Sequence, residues 1–240
     1  MPDGAGSKTG MLEIRDLHAF YGESHILHGI SLDVRRGEVV TLLGRNGAGK
    51  TTTMRSIMGI VGKLTGSIRL NGTELVGLGS NRIAKLGIGY VPEERGIFSS
   101  LNVEENLMLP PTIKPGGMDV EAIYTLFPNL KERRKSQGTW LSGGEQQMLA
   151  IGRILRTGAD FILLDEPTEG LAPVIIQQIG RVVRELKRRG LTILLVEQNF
   201  RFAATIADRH YVMEEGTIVD MIPNDQLDAN MEKLHGYLGV

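Results

Sequence analysis

The feature that most constrains the fold is a glycine-rich loop that follows an apolar run and precedes a helical pattern. Its sequence, GRNGAGKT from Gly44 to Thr51, matches the spacing G-x-x-x-x-G-K-[ST]. The glycines let successive backbone N–H groups point at phosphate oxygens, and the positive end of the helix dipole strengthens the attraction. We therefore predict a phosphate-binding loop in which Lys50 neutralises the β- and γ-phosphates and Thr51 offers its hydroxyl to magnesium. A glycine-rich turn that only caps the helix is the alternative.

Short apolar runs alternate with segments of helical period, which predicts an α/β fold: a P-loop NTPase core with a mixed, largely parallel sheet and flanking helices. Buried strands are predicted for EVVTLL, IGYV, FILLD and TILLVE, and a helix is predicted over 50–57. An additional antiparallel β layer is predicted for LEIRDLHAFYG and ISLDV. Residues from about 93 to 155 gain helical signals, so we expect an α-helical subdomain inserted there, within a single domain 11–240 that follows a disordered leader 1–10.

Composition and charge exclude several classes of function. Lys and Arg number 27 against 28 Asp and Glu, so the net charge of −1 gives no overall attraction to nucleic acid or to an anionic membrane surface. Cysteine is absent from the sequence, which excludes disulfides and thiolate chemistry. No run approaches the roughly 18 apolar residues of a membrane span. We therefore predict no nucleic-acid partner, and any role at a membrane would be exercised from outside the lipid.

Two adjacent carboxylates stand at the end of the predicted strand FILLD, namely Asp165 and Glu166. In a site built around a phosphate-binding loop, Asp165 is predicted to hold magnesium, directly or through water. Glu166 is predicted to be the general base or the group that positions the attacking water. Taken alone, the pair can instead cap the next helix.

A second anion-binding element is predicted in the segment LSGGEQQ, which opens an apolar-periodic helix. The hydroxyl of Ser142, the N–H groups of Gly143 and Gly144 and a helix N-terminus are all donors to an anion. Ser142 and Glu145 also satisfy the capping-box pattern, so a plain N-cap is the alternative.

The segment LSGGEQQ resembles the signature motif of the ABC ATPases, and the resemblance spans roughly residues 12–221. It implies a head-to-tail dimer with ATP between the glycine-rich loop of one subunit and the signature segment of the other, and magnesium as the metal. ATP would close the dimer and hydrolysis would release it. With the motifs above, the expected site residues are, for the nucleotide, Tyr21, Gly44, Asn46, Gly47, Ala48, Gly49, Lys50, Thr51 and Thr52; for the metal, Thr51, Asp165 and Glu93; for catalysis, Glu166, Lys50 and Gln198; and, across the dimer, Ser142, Gly143, Gly144 and Glu145.

Individual positions follow or depart from the pattern of that family. Tyr21 resembles the aromatic residue that stacks on adenine, with a core aromatic as the alternative. Glu93 stands where most relatives have Gln, Gln198 where most have His, and Ala172 where Asp is commoner. Glu93 can still reach magnesium or water through an oxygen, and Gln198 can donate a hydrogen bond to a γ-phosphate but cannot carry a proton as an imidazolium can. Hydrolysis is expected, with a slow ATPase as the alternative.

The strings VPEERGIF, VEENL, DEPTEGLAPVI and LLVEQN resemble the smaller ATPase subunit of branched-chain amino acid importers. Urea and short-chain amide importers share this appearance. The resemblance implies a homologous ATPase subunit as dimer partner, in a homodimer or a heterodimer, two transmembrane permease subunits and, indirectly, a substrate-binding protein. The chain would then be cytoplasmic, held by the permeases at the inner face of the plasma membrane. A soluble ABC ATPase without a permease and a scaffold that binds nucleotide without hydrolysis are the alternatives.

Two further groups of residues carry weaker expectations. The histidines show no recognised metal-ligand spacing, and His25 and His28 are predicted to lie in a turn. The apolar residues around Phe98, in the segment 95–107, are predicted to dock a permease helix or to form the core of the helical subdomain. Trp140 is predicted to be a packing or surface aromatic.

Overall fold

The structure is a computed structural model that describes residues 10–239. The predicted leader therefore lies outside the described residues, except Gly10, which begins a strand. The strands are β1 (Gly10–Tyr21), β2 (Ser24–Arg35), β3 (Val39–Leu43), β4 (Lys63–Leu70), β5 (Thr73–Glu74), β6 (Ile88–Val91), β7 (Phe161–Asp165), β8 (Thr192–Glu197), β9 (Arg209–Glu214) and β10 (Thr217–Pro223). The helices are α1 (Lys50–Ile57), α2 (Ser80–Lys85), α3 (Val103–Met108), α4 (Val120–Leu126), α5 (Pro128–Glu132), α6 (Gly143–Arg156), α7 (Pro173–Arg188), α8 (Phe200–Ala204) and α9 (Met231–Leu238).

The first sheet is antiparallel and has the strand order β2-β1-β4-β5. It confirms the predicted antiparallel layer, but β2 begins at Ser24, well before the predicted run ISLDV. The prediction that His25 and His28 lie in a turn is wrong, because β1 supplies a ladder partner to each of them. The turn is instead at Gly22 and Glu23, where Gly22 has a φ of +58°.

The second sheet is mostly parallel and has the order β10-β9-β3-β8-β7-β6, with only β9 and β10 antiparallel. Every residue of β3, β7 and β8 is buried, which explains why these strands appear in the sequence as continuous apolar runs. The carboxyl ends of parallel strands meet at one edge of a sheet, which is where α/β folds place their ligands. The predicted loop at Gly44, the acids Asp165 and Glu166, and Gln198 therefore share one edge.

Helices α3 to α6 form a lobe between β6 and β7, in the range where the sequence predicts a helical insertion. Their buried residues, which include Leu107, Ile123 and Leu149, join Val91 and Ile162 of the sheet in one hydrophobic cluster. The lobe thus packs directly on the sheet, and α6 is held against the strands that carry the site.

The segment 95–107 is divided between the interior and the surface of this lobe, because Val103 and Leu107 are buried in its core. The Phe98 side chain is exposed and lies under the guanidinium of Arg153, with 4.9 Å between the guanidinium carbon and the ring centroid. The alternative of a lobe core is therefore confirmed for Val103 and Leu107 and wrong for Phe98, whereas docking of a permease helix stays a prediction. Trp140 is likewise exposed on the lobe.

Helix α7 buries one apolar face against the sheet, with Ile179, Val183 and Leu186 all inaccessible to solvent. Its N-cap is Ala172, which has extended backbone angles and no side-chain hydrogen bond to the helix. An Asp at this position would supply the missing cap, so the departure at Ala172 leaves the first turn of α7 less stabilised. Among residues 10–239, no helix has the length and apolar content needed to cross a bilayer.

Candidate nucleotide-binding site

The glycine-rich loop leaves the end of β3 and turns directly into α1. Gly47 and Gly49 have φ angles of +82° and +104°, which strain any residue with a side chain. A Cβ atom at Gly49 would lie 2.8 Å from Leu27 and 2.9 Å from Met213. The curled backbone therefore depends on both the freedom and the small size of glycine, and it presents the N-terminus of α1 to the cavity in front of it.

Lys50 is 4% exposed and forms a buried ion pair with Glu166, with 3.1 Å between Nζ and Oε1. The ammonium group also donates to the carbonyl oxygen of Arg45 over 3.0 Å. Glu166 is 9% exposed, so neither charge is well solvated. Removal of one partner would leave the other as a buried, uncompensated charge.

Asp165 and Thr51 place two oxygen atoms side by side, with the Thr51 hydroxyl donating to Oδ1 of Asp165 over 3.1 Å. Burial raises the pKa of Asp165 to about 6, against the opposing effect of hydrogen bonds from Tyr90 and Thr51. Glu93 lines the adjoining cavity. Hydroxyl and carboxylate oxygens are the donors that magnesium prefers, so these residues fit that ion.

Tyr90 is a site residue that sequence reasoning missed. Its hydroxyl donates to Oδ2 of Asp165 over 3.0 Å, which leaves Oδ1 directed toward Thr51. Tyr90 lies in the middle of β6, and nothing in the local pattern of that strand distinguishes it from a packing aromatic. Only the pairing of β6 with β7 brings the two side chains together.

Gln198 joins the loops that follow three different strands. Its Nε2 atom donates to Oδ1 of Asn46 over 2.6 Å and to Oε2 of Glu166 over 2.8 Å. Glu166 has a φ of +46°, an uncommon backbone conformation for a residue with a side chain. Because β8 lies between β3 and β7, Gln198 stands between the glycine-rich loop and the carboxylate.

A cavity of about 440 Å³ lies in front of these groups. Its lining residues are Ile26, Asn46, Gly47, Gly49, Lys50, Thr51, Thr52, Glu93, Glu166 and Glu169. Glu169 was not predicted, and its hydrogen bond to Glu166 raises its pKa. Among the predicted nucleotide residues, Gly44 and Ala48 do not line this cavity, although Ala48 lines a neighbouring one together with Asn46 and Gly47.

Tyr21 is the last residue of β1 and is 43% exposed, so the alternative of a core aromatic is wrong. It is absent from the lining of the cavity, although Ile26 on the adjacent strand contributes to it. A hydrogen bond to Tyr21 is the main cause of the raised pKa of Arg55 on α1. The ring therefore lies beside the helix that begins at Lys50.

Ser142 is the N-cap of α6 and is exposed. Its hydroxyl accepts from the N–H of Glu145 over 3.3 Å, and the Glu145 carboxylate accepts from the N–H of Ser142 over 2.8 Å, which completes a capping box. No residue of the segment 142–145 lines the cavity at Lys50. The two predicted anion-binding elements are thus separate within one chain, and the tip at Ser142 faces outward.

A buried carboxyl group at the end of β8 should make stability depend on pH. Burial raises the pKa of Glu197 to about 7, against a hydrogen bond from Thr168 and the N–H of Asn199, while the charge of Glu166 adds to the rise. The folded protein therefore keeps this proton between pH 4.5 and about 7, whereas the unfolded chain releases it. The free energy of unfolding should fall as the pH rises through this window.

Glu197→Gln should remove that contribution, because the amide resembles the protonated acid. We expect the free energy of unfolding of wild type, relative to the variant, to fall by about 1 kcal/mol per pH unit within the window. Urea unfolding of both proteins at pH 5 and 7.5 measures the difference, and the contribution of Asp165 cancels between them. Parallel pH dependences would show that Glu197 is ionised across the whole range.

Comparison with known proteins places this arrangement in a family. The family model described as ABC transporter matches residues 27–169, more than half of the chain. The high-affinity branched-chain amino acid transport ATP-binding protein BraG of Pseudomonas aeruginosa is 45% identical over 238 residues, covering 95% of this chain and 100% of that protein. The probable branched-chain amino acid transport ATP-binding protein LivF of Archaeoglobus fulgidus is 37% identical over 215 residues, covering 87% of this chain and 90% of that protein.

A more distant relative and a solved structure extend this likeness. The lipopolysaccharide export system ATP-binding protein LptB of Escherichia coli is 35% identical over 214 residues, covering 87% of this chain and 88% of that protein. A solved structure of the ATP binding subunit of an ABC transporter has a TM-score of 0.79 at 28% identity, covering 96% of this chain and 100% of that one. The chain therefore belongs to the ABC transporter family, as one of its ATP-binding subunits.

Proposed function

We propose that this chain hydrolyses ATP as a subunit of an importer of branched-chain or related amino acids. The observation that carries the chemical part is the convergence of Lys50, Thr51, Asp165, Glu166 and Gln198 at one edge of the sheet. The likeness to BraG at 45% identity over the whole of that protein supports the transport part.

The proposed chemistry uses the contacts of this edge. The glycine-rich loop and Lys50 bind the phosphates, and the Lys50 ammonium exchanges its contact with Glu166 for the γ-phosphate. Glu166 is then free to accept a proton from the attacking water, while Gln198 holds its carboxylate in place. Thr51, Asp165 and Glu93 are the residues that would hold magnesium, which when bound supplies positive charge to the phosphate oxygens.

The remaining site residues act on the base and across a dimer. Tyr21 stacks on adenine from its exposed position at the end of β1. Ser142, Gly143, Gly144 and Glu145 contact the nucleotide of a second ATPase subunit, which suits an exposed helix tip that does not line the cavity of its own chain. Closure of such a dimer requires ATP in both sites, so hydrolysis opens it again.

The proposed assembly follows from the same family. Residues 11–240 form one ATPase domain with the helical lobe as its insertion, and the partner is a homologous ATPase subunit. Two permease subunits hold the pair at the cytoplasmic face of the membrane, and the substrate reaches them from a binding protein. Specificity for the amino acid then belongs to the permeases and the binding protein.

Uptake and co-purification test this proposal together. Deletion of the gene should abolish most high-affinity uptake of labelled leucine, isoleucine and valine by cells, and detergent-solubilised membranes should yield a permease with the tagged chain. Complementation with the wild-type gene, but not with a Lys50→Ala gene, is the control. If leucine uptake stayed normal and urea or amide uptake were lost, the substrate class would be urea or amides instead. Co-purification with lipopolysaccharide export proteins would indicate export instead of import.

A further inference from the structure

A buried hydrogen bond connects two loops of the site at a point that the proposed chemistry does not use. Thr168 lies two residues after Glu166, and its hydroxyl donates to Oε1 of Glu197 over 2.7 Å. Thr168 is 5% exposed and Glu197 is 2% exposed. Burial of a carboxyl group costs free energy unless the group accepts hydrogen bonds. The hydrogen bond from Thr168 to Glu197 is therefore a specific feature of these loops.

The Glu197 carboxyl group accepts two hydrogen bonds, one of them from the neighbouring loop. Oε1 accepts from Thr168, while Oε2 accepts from the backbone N–H of Asn199 over 3.3 Å. Asn199 in turn caps α8, where its side chain accepts from the N–H of Phe202 over 3.1 Å. Gln198 is thus flanked on both sides by residues whose positions are fixed by hydrogen bonds.

The same two loops are also joined by a second contact, which is partly buried. The Gln198 amide donates to Glu166 over 2.8 Å, and the loop from Glu166 onward is folded by the bond from the N–H of Glu169 to the carbonyl of Glu166. Thr168 lies two positions after Glu166 and Glu197 directly precedes Gln198, so the two contacts join the same loops within two residues of each other. We therefore expect a shift of the contact between Thr168 and Glu197 to move the contact between Glu166 and Gln198.

We propose that Thr168 and Glu197 are positioning residues, which hold the Gln198 amide against Glu166 and thereby set the orientation of that carboxylate. This inference rests on the proposed function, because it assigns the Gln198 contact a part in hydrolysis. Neither residue lines the cavity, so we expect their effect on the reaction to pass through the loop residues that they hold, of which Gln198 contacts Glu166 directly. The alternative is a pair that only stabilises the ends of β7 and β8.

Thr168→Val tests the proposal, because it removes the hydroxyl and keeps the size of the side chain. We expect kcat for ATP hydrolysis to fall by about tenfold or more, with KM for magnesium ATP unchanged within about twofold. Thr168→Ser keeps the hydroxyl and should retain most of the wild-type kcat. Thr125→Val is the matched control, since Thr125 bonds only its own helix on the lobe. Thr168→Ala replaces the valine variant if that protein does not fold.

A double-variant cycle separates positioning from simple stabilisation. If Thr168 acts through Gln198, Thr168→Val should slow the Gln198→Ala protein no further. Equal slowing in both backgrounds, or wild-type kcat in Thr168→Val, would overturn the proposal. The proposal would also be overturned if a lower melting temperature fully explained the loss of kcat in Thr168→Val and Thr168→Ser did not restore kcat.

A spectroscopic readout keeps the test independent of the proposed function. In the full-length ¹⁵N-labelled protein, the Gln198 side-chain amide signal is identified by its absence in Gln198→Ala. Thr168→Val should shift this signal and Thr125→Val should not. If wild type hydrolyses no ATP, the proposed function fails, but this measurement still tests whether Thr168 positions Gln198. An unmoved Gln198 signal in Thr168→Val overturns the positioning role.

Discussion

Replacement of Glu166 by glutamine is expected to lower kcat for ATP hydrolysis by about 10²- to 10⁴-fold while ATP binding is retained. The amide has the size of the carboxylate and can still pair with Gln198, but it cannot accept a proton from water. Lys50 also loses its buried anionic partner, so its ammonium is free for the phosphates. The measurement is the release of phosphate under saturating magnesium ATP, alongside the affinity for a fluorescent ATP analogue.

The same variant should also accumulate as an ATP-bound dimer, since the step that opens the dimer is blocked. Size-exclusion chromatography with ATP and with ADP distinguishes the two states. Glu169→Gln is the informative control, because Glu169 lines the same cavity and contacts Glu166. If Glu169→Gln abolished hydrolysis and Glu166→Gln did not, the assignment of the base would pass to Glu169.

Lys50→Ala is expected to weaken the binding of magnesium ATP by about 100-fold or more, because it removes the cation at the centre of the phosphate site. Isothermal titration calorimetry at fixed ionic strength measures the effect. Lys63→Ala is the matched control, since Lys63 is exposed at the start of β4 and its loss should leave the affinity unchanged. Equal affinity of wild type and Lys50→Ala would contradict the proposed site.

This substitution also leaves Glu166 without its ion-pair partner, which should destabilise the fold by about 3–5 kcal/mol. The double variant Lys50→Ala, Glu166→Gln removes the uncompensated charge and should recover most of that loss. It should not recover ATP binding, because the cation is still missing. Urea unfolding and calorimetry on the three variants therefore separate loss of the site from loss of the fold.

The sequence predicted the fold where local pattern and burial coincide. The runs IGYV, FILLD and TILLVE, which are buried except for the partly buried Tyr90, lie within β6, β7 and β8, and α1 spans the predicted 50–57. Elements whose limits depend on a neighbour were predicted less well. β2 extends to Ser24 only because β1 offers it a partner, and α2 and α8 were missed because six and five residues are too few to show a helical period.

The candidate site divides in the same way. Lys50, Thr51, Asp165 and Glu166 belong to local motifs, so the place of the first two at a helix start and of the acids at a strand end followed from the sequence. Tyr90 was missed because its contact with Asp165 joins residues 75 positions apart. Thr168 and Glu197 were missed because the pair exists only after β7 and β8 are adjacent.

By itself, the sequence determined the backbone of the glycine-rich loop, the two acids at a strand end and the capped helix tip at Ser142. Each of these depends on residues within a few positions of one another, where glycine conformation and capping hydrogen bonds decide the outcome. Tertiary structure alone decided that Gln198 lies between Asn46 and Glu166, and that Ser142 faces away from its own cavity. The physical reason is that strand order sets which loops meet, and strand order is a property of the whole sheet rather than of any segment.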